Sequence, residues 1–316
     1  MKAVVIYEAG GPEKLLYTDV PMPRRKDGWS LVKVLGFGVN HSEIFTRQGL
    51  SPSVRFPRIL GIECVGVIEE SETFPKGQKI ISIMGEMGRA FDGSYAAYTM
   101  LPDTQIYPIQ SDLPLSVLCA IPETYYTAYG SMQNLHIQET DSVLVRGATS
   151  GVGIAFMRLI KAKYPGLQIT GTSRSTAKAQ RLRDEGFDAV VTDRENILQT
   201  DQTYNKILDL IGPAALRDTF RHLNESGIVC VTGLLGGEWT LPDFDPLEDL
   251  PADSYLTSFH SGNVTQQKIQ AMLDFVDKYK VSAVPEKVFK LEEIRQAHEF
   301  LESAGSFGKV VVLLAE

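Results

Sequence analysis

The residues with the clearest chemical potential form one run, Gly147-Ala148-Thr149-Ser150-Gly151-Val152-Gly153, directly after the apolar stretch Val143-Leu144-Val145 and Arg146. Gly147 lets the chain turn sharply off a strand, and Gly151 leaves room for backbone to approach a pyrophosphate. Gly153 permits close packing of the following helix, whose N-terminus offers N–H donors and partial positive charge. The spacing departs from a strict G-x-G-x-x-G, so the strand before and the helix after it carry the inference to a dinucleotide site. The next strand reads Gly171-Thr172-Ser173-Arg174-Ser175, with Lys178 one turn further on. NAD sites usually end this strand with an acid that binds the ribose 2′-OH. Here a guanidinium and hydroxyls stand instead, groups that pair with a 2′-phosphate, and the sequence points to NADPH.

These residues need a scaffold of alternating strands and helices, and the chain supplies one. Residues 143–145 read as a buried strand, and Ile154, Met157, Ile160 and Tyr164 fall at helical spacing before Pro165-Gly166 stops the helix. Strands follow at 167–172, 189–192, 206–210 and 228–232, with helices at 177–185, closed by Gly186, and at 213–223. The alternation predicts parallel βαβ units and a doubly wound α/β sheet. Residues 1–120 have a different texture. Short apolar runs at 30–35, 65–69, 78–84 and 94–100 are broken by Gly and Pro, which predicts a compact, partly open β-barrel. The tail from Thr265 carries Ile269, Met272, Leu273, Val276 and Tyr279 on one helical face, then a helix at 291–303 and a strand at 309–314.

At 316 residues, with 43% hydrophobic and 22% charged residues, the chain has the balance of a globular protein of two domains. A net charge of -8 gives none of the basic footprint that nucleic-acid binding needs. Cys64, Cys119 and Cys230 are too few and too far apart for a disulfide framework. The run from Met1 to Glu8 reads as a strand rather than a signal peptide, and no stretch is long and apolar enough to span a bilayer; the expected location is cytoplasmic. His41, His136, His222, His260 and His298 show no ligand spacing, and Ser94 and Ser150 have no evident base, so neither a metal site nor a hydrolase is indicated. Glu63 reads as a buried carboxylate bonded to backbone or to Arg47.

With these residues in view, the chain resembles the medium-chain dehydrogenase/reductase superfamily, and within it the zinc-independent quinone oxidoreductases that include zeta-crystallin. The likeness runs nearly end to end: Met1-Lys2-Ala3-Val4, Gly38-Val39-Asn40-His41-Ser42-Glu43, Phe91-Asp92-Gly93-Ser94-Tyr95-Ala96, the 147–153 turn, Leu208-Asp209-Leu210-Ile211-Gly212 and Gly308-Lys309-Val310-Val311. The resemblance implies a GroES-like catalytic domain over 1–120 that resumes at 261–316, a Rossmann NADP-binding domain over 121–260, and a homodimer through the Rossmann sheet edge. It implies cofactor contacts at Gly233, Leu234, Phe259 and Ser261, and a catalytic site with Asn40, Thr127 and Glu43. The departures are informative. Zinc-dependent relatives place a Cys ligand where Asn40 stands and Gly-His-Glu where this chain has Gly61-Ile62-Glu63, and the four-cysteine zinc lobe is missing. Isoleucine cannot ligate a metal, and Asn is a poor substitute for a thiolate toward zinc.

The expected chemistry is hydride transfer from NADPH to a quinone or a related activated carbonyl or alkene, without a metal. Asn40 and Thr127 are the candidate hydrogen-bond donors to the substrate oxygen on which charge develops. An NADPH-dependent enone or 2-enoyl reductase is the alternative enzyme, and a non-catalytic NADPH-binding structural or sensor protein is the alternative of another class.

Overall fold

The computed structural model describes residues 1–314. The chain divides into two compact units. One comprises Met1–Tyr126, Ser261–Asp274 and the stretch from Ala283 onward; the other comprises Thr127–His260 and Phe275–Ser282.

The first unit opens with β1 (Lys2–Ile6), β2 (Leu16–Asp19), β3 (Trp29–Val39), α1 (His41–Arg47), β4 (Arg58–Ile59), β5 (Glu63–Glu70), β6 (Lys79–Ile83), β7 (Tyr98–Pro102), β8 (Tyr107–Pro108) and α2 (Leu115–Ala120). A small antiparallel sheet has the order β2-β1-β4. Alternating apolar residues place one face of each strand inside: Val32, Val34, Ile68 and Ile80 join Val4, Ile6 and Leu60 in one core. The apolar run expected at 94–100 yields a strand only over Tyr98–Pro102. Upstream, Gly93 N–H and Tyr95 N–H bond the carbonyls of Ile59 and Leu60, and Ala97 N–H bonds that of Lys2.

The helix α3 (Pro122–Asn134) carries the chain into the second unit, the boundary falling between Tyr126 and Thr127. There follow β9 (Ser142–Arg146), α4 (Gly151–Lys163), β10 (Gln168–Ser173), α5 (Thr176–Glu185), β11 (Ala189–Arg194), β12 (Ile197–Leu198), β13 (Tyr204–Asp209), α6 (Pro213–Arg221), β14 (Leu223–Val231), α7 (Pro246–Asp249) and β15 (Tyr255–Ser258). The sheet order is β12-β11-β10-β9-β13-β14-β15. All neighbours are parallel except β12, which pairs antiparallel with β11. The order reverses beside β9, the switch point at which doubly wound sheets bind ligands beyond the strands' C-terminal ends.

The tail contributes α8 (Gln266–Lys278), β16 (Lys287–Lys290), α9 (Ile294–Glu302) and β17 (Val310–Leu313). In the first unit β17 lies antiparallel to β3, completing the order β16-β17-β3-β5-β6-β8, with β7 also on β3. Residues Phe275–Ser282, which the sequence assigns to the returning catalytic segment, group instead with the second unit. The reason is local: the Phe275 ring packs 5.3 Å from Tyr129, and Arg158 reaches the Ser282 carbonyl. Among the described residues no helix is long and apolar enough to cross a membrane.

Candidate functional site

The glycine-rich turn joins β9 to α4 as its spacing predicts. Gly147 adopts φ +84°, a left-handed value that costs a residue with a Cβ and suits glycine. Its N–H donates to Thr172 Oγ1 at 3.1 Å, pinning the turn to β10. Ser150 caps α4, accepting from Gly153 N–H at 3.1 Å while its hydroxyl donates to the Gly147 carbonyl. A Cβ on Gly153 would stand 2.8 Å from the Ala148 backbone, so this glycine lets the helix lie directly on the turn. Ala148 is buried, whereas Thr149, Ser150, Gly151 and Val152 are partly exposed. A helix start leaves its first N–H groups without intrahelical partners. Gly153 N–H is taken by the cap, and those of Gly151 and Val152 remain the donors suited to a pyrophosphate. The turn therefore fits a dinucleotide.

At the end of β10, Ser173 is buried and its hydroxyl closes the turn onto Ser175. Arg174 is exposed, and Lys178 is half-buried in the first turns of α5. Burial lowers the Lys178 pKa, and the neighbouring Arg174 and Arg181 cations lower it further.

Beneath the turn lies a network that the sequence does not reveal. Arg146 is fully buried at the end of β9. Its Nε donates to Asp193 Oδ2 at 2.8 Å, Nη1 lies 2.9 Å from Asp218 Oδ2, and Nη1 also donates to Thr219 Oγ1 and the Ala215 carbonyl. Nη2 reaches the Asn196 carbonyl at 2.6 Å. One side chain thus ties the strand leading into the turn to β11, to the left-handed Glu195-Asn196 corner and to α6.

On the other side of β9, α3 presents Thr127, Ser131 and Asn134 on one face, the i, i+4, i+7 spacing of a helix. Ser131 Oγ donates to the Thr127 carbonyl and shares a 2.9 Å hydrogen bond with Thr232 Oγ1, while Asn134 Nδ2 donates to the Ser258 carbonyl. The Phe259 ring packs on Gly130, where a Cβ would fall 1.9 Å from it. Gly233 sits so close to Leu210 that a Cβ would approach the Leu210 carbonyl to 2.3 Å, and Leu234 follows. Thr127, Gly233, Leu234 and Phe259 are therefore gathered at the C-terminal ends of β14 and β15. Ser261 belongs to the first unit, where its hydroxyl donates to Glu123 Oε1 at 2.7 Å.

The first unit contributes a buried polar cluster around Asn40. Glu63 is fully buried, and its Oε1 accepts from Lys309 Nζ at 2.7 Å and Asn40 Nδ2 at 2.8 Å. Its Oε2 accepts from Glu123 N–H at the start of α3. Lys309 also donates to Asn40 Oδ1 at 2.6 Å. The absent side chain of Gly38 makes room for the pair, since a Cβ there would lie 2.2 Å from Lys309 Cε. Glu63 does use a backbone partner, as the sequence allowed, but its cation is Lys309 and not Arg47. Arg47 is occupied by Glu302, which takes both hydrogen bonds from Nη2, and by His298. His298 also bonds Tyr95, and burial with the adjacent Arg47 pushes its pKa down to about 3, keeping it neutral.

Glu43 is fully buried, with Oε2 accepting from Asn40 N–H and Oε1 from Ile62 N–H. It braces the start of α1 against the Gly61–Glu63 turn and positions Asn40; both its oxygens face backbone. Burial, reinforced by the nearby Glu63 carboxylate, pushes its pKa from 4.5 up to about 7, against the pull of Lys309 and the two N–H bonds. The folded protein thus holds a proton that the unfolded chain has released. This contribution to stability is full below about pH 4.5 and is lost as pH rises through about 7. Glu43→Gln cannot satisfy both N–H donors and should cost about 1–3 kcal/mol in acid. The gap from the unmodified protein should narrow by on the order of 1–3 kcal/mol toward neutrality. Urea unfolding across that range measures it, and parallel pH profiles for the two proteins would contradict the assignment.

Comparison with known proteins agrees with this geometry. Residues 26–111 match the model of the alcohol dehydrogenase GroES-like domain, and residues 183–312 match that of the zinc-binding dehydrogenase family. Quinone oxidoreductases of Pongo abelii and Homo sapiens are each 28% identical over 99% of this chain and 98% of their own length. The quinone oxidoreductase of Coxiella burnetii superposes with a TM-score of 0.83 at 21% identity, covering 100% of this chain and 99% of its own. A mycobacterial protein solved with NADPH gives 0.82 at 21% identity, covering 99% of each chain. The chain is an α/β protein with a Rossmann sheet and a GroES-like domain, and it is similar over its whole length to the zeta-crystallin-like quinone oxidoreductases of the medium-chain dehydrogenase/reductase superfamily.

Proposed function

We propose that this protein is an NADPH-dependent reductase that delivers hydride to a quinone or a related activated carbonyl or alkene, and that it works without a metal. The observation that carries the reading is the end of β10, where Ser173, Arg174 and Lys178 stand beside the glycine turn in place of a carboxylate. The names of the 28% identical relatives and the NADPH bound to the mycobacterial structure support it.

Bound NADPH would supply the hydride. The chain's residues supply binding, orientation and charge. Gly151 and Val152 N–H, with the buried Ala148 and the Thr149 and Ser150 backbone of the same turn, hold the pyrophosphate. Arg174 and Lys178 pair with the 2′-phosphate. Gly233, Leu234, Phe259 and Ser261 line the reduced ring. Thr127 in the second unit and Asn40 in the first are the candidate donors to a substrate oxygen; Asn40 Nδ2 already donates to Glu63 Oε1 at 2.8 Å and reaches the Gly38 carbonyl at 3.5 Å, so it would give up the longer contact for this role. Glu43 and Lys309 hold Asn40 in place.

The residues do not fit zinc, despite the name of the family matched at 183–312. Ile62 is apolar and buried, and the Lys309 ammonium already sits between Asn40 Oδ1 and Glu63 Oε1, where a second cation would be repelled. Among the described residues no group of three or more His, Cys, Asp or Glu side chains is placed to hold a metal. Lacking a Lewis acid, the site favours acceptors that delocalise charge themselves. The open edge of β15, with Tyr255 and Leu256 exposed, is where a second copy would extend the sheet.

The test is NADPH oxidation against a panel of quinones, enones, enoyl thioesters and aldehydes, before and after chelator treatment. Turnover of quinones or enones, undiminished by chelation, is expected. Tight NADPH binding without turnover of any acceptor would replace this reading with a non-catalytic one.

A further inference from the structure

Away from the residues assigned above, the first unit carries a cavity of about 480 Å3. That is within the range of small-molecule sites, roughly 300–1,000 Å3. Its walls are apolar and aromatic: Trp29 meets Phe91 edge to face with centroids 4.9 Å apart, and Tyr98 and Met100 of β7 continue the surface. Three cations, Arg24, Lys26 and Arg58, also line it, against a single acid, Asp92. That acid is already engaged, since its Oδ1 accepts from Arg58 Nη1 at 2.8 Å and from Ile59 N–H at 3.1 Å. In a chain of net charge -8, this is a local excess of positive charge over apolar walls.

Arg58 holds that acid, which leaves Arg24 and Lys26 without a counter-ion in the lining. Arg58 Nε–H is buried and has no acceptor, an unfavourable state that an added oxygen would relieve. Lys26 Nζ stands 3.7 Å over the Trp29 ring, a contact that leaves its charge uncompensated. A neutral apolar molecule would cover the walls and leave these groups unmatched, and a polyanion would match the cations and leave the walls bare. We propose that this cavity binds an amphipathic monocarboxylate, its hydrocarbon body on Trp29, Phe91, Tyr98 and Met100 and its carboxylate toward Arg24, Lys26 and Arg58. The site shares no residue with the Asn40 cluster or the nucleotide turn, and the proposal stands apart from the reductase reading.

Trp29 is a built-in reporter, because the chain has only one other tryptophan, the half-exposed Trp239. In a Trp239→Phe background, decanoate should change Trp29 emission saturably with one site per chain, and decan-1-ol should not at the same concentration. Adding Arg24→Glu and Lys26→Glu, both at exposed positions, should weaken decanoate at least tenfold in apparent Kd. Three results would overturn the proposal: no saturable response, equal responses to acid and alcohol, or a decanoate Kd indifferent to charge reversal. The readout needs neither cofactor nor turnover, so its outcome is independent of the reductase assay.

Discussion

Arg174→Glu is expected to raise the KM for NADPH by on the order of a hundredfold while changing that for NADH by less than about threefold. The substitution removes a charge-assisted pair and adds a like charge beside the phosphate, together about 3 kcal/mol. The surroundings support selectivity. Arg174 and Arg181 each stand close enough to Lys178 to add to the burial that depresses its pKa, and a dianionic ligand relieves that repulsion. NADH, which brings no phosphate to this corner, gains nothing from Arg174. Steady-state kinetics with both cofactors decide the matter, and an equal loss for the two would show that Arg174 does not hold the 2′-phosphate.

Arg146→Leu should lower the unfolding free energy by about 3–5 kcal/mol, the range for stripping one partner from a buried ion pair. Asp193 and Asp218, whose side chains are only 5% and 11% exposed, would be left without the guanidinium between them. Against a typical total of about 5–15 kcal/mol this is a large share. Adding Asp193→Asn and Asp218→Asn should recover part of the loss, since the stranded charges then vanish. Urea unfolding of the three proteins measures this. A single-variant cost below about 1 kcal/mol would mean that Arg146 contributes only packing.

What the sequence discloses is what is written locally. The β9–turn–α4 unit is legible because an apolar strand, its glycines and a helical apolar spacing are contiguous between Val143 and Tyr164. The parallel order of the second unit follows from the same alternation repeated. Arg146 sits inside that motif yet passes unnoticed, because its partners at Asp193, Asn196 and Asp218 are defined only once the strands are laid side by side. Asn40 is visible as a candidate donor, but its engagement by Glu63 and Lys309 joins three segments with no periodicity in common. Glu43 shows the same limit: its charge is evident in the sequence, while its burial against two backbone amides, which makes it a brace, is a product of packing. Arg47 is near Glu63 in sequence and is claimed by α9 instead.

The pairing of Lys309 with Glu63 also bears on how the protein is made. The two residues are 246 positions apart. At a translation rate of about 5–20 residues per second, a newly synthesised Glu63 waits roughly 12–50 s before its counter-ion emerges. Throughout that interval Glu63 has water in place of its counter-ion and β3 lacks β17, so the buried Asn40 cluster can close only after the carboxy-terminal strand has been made.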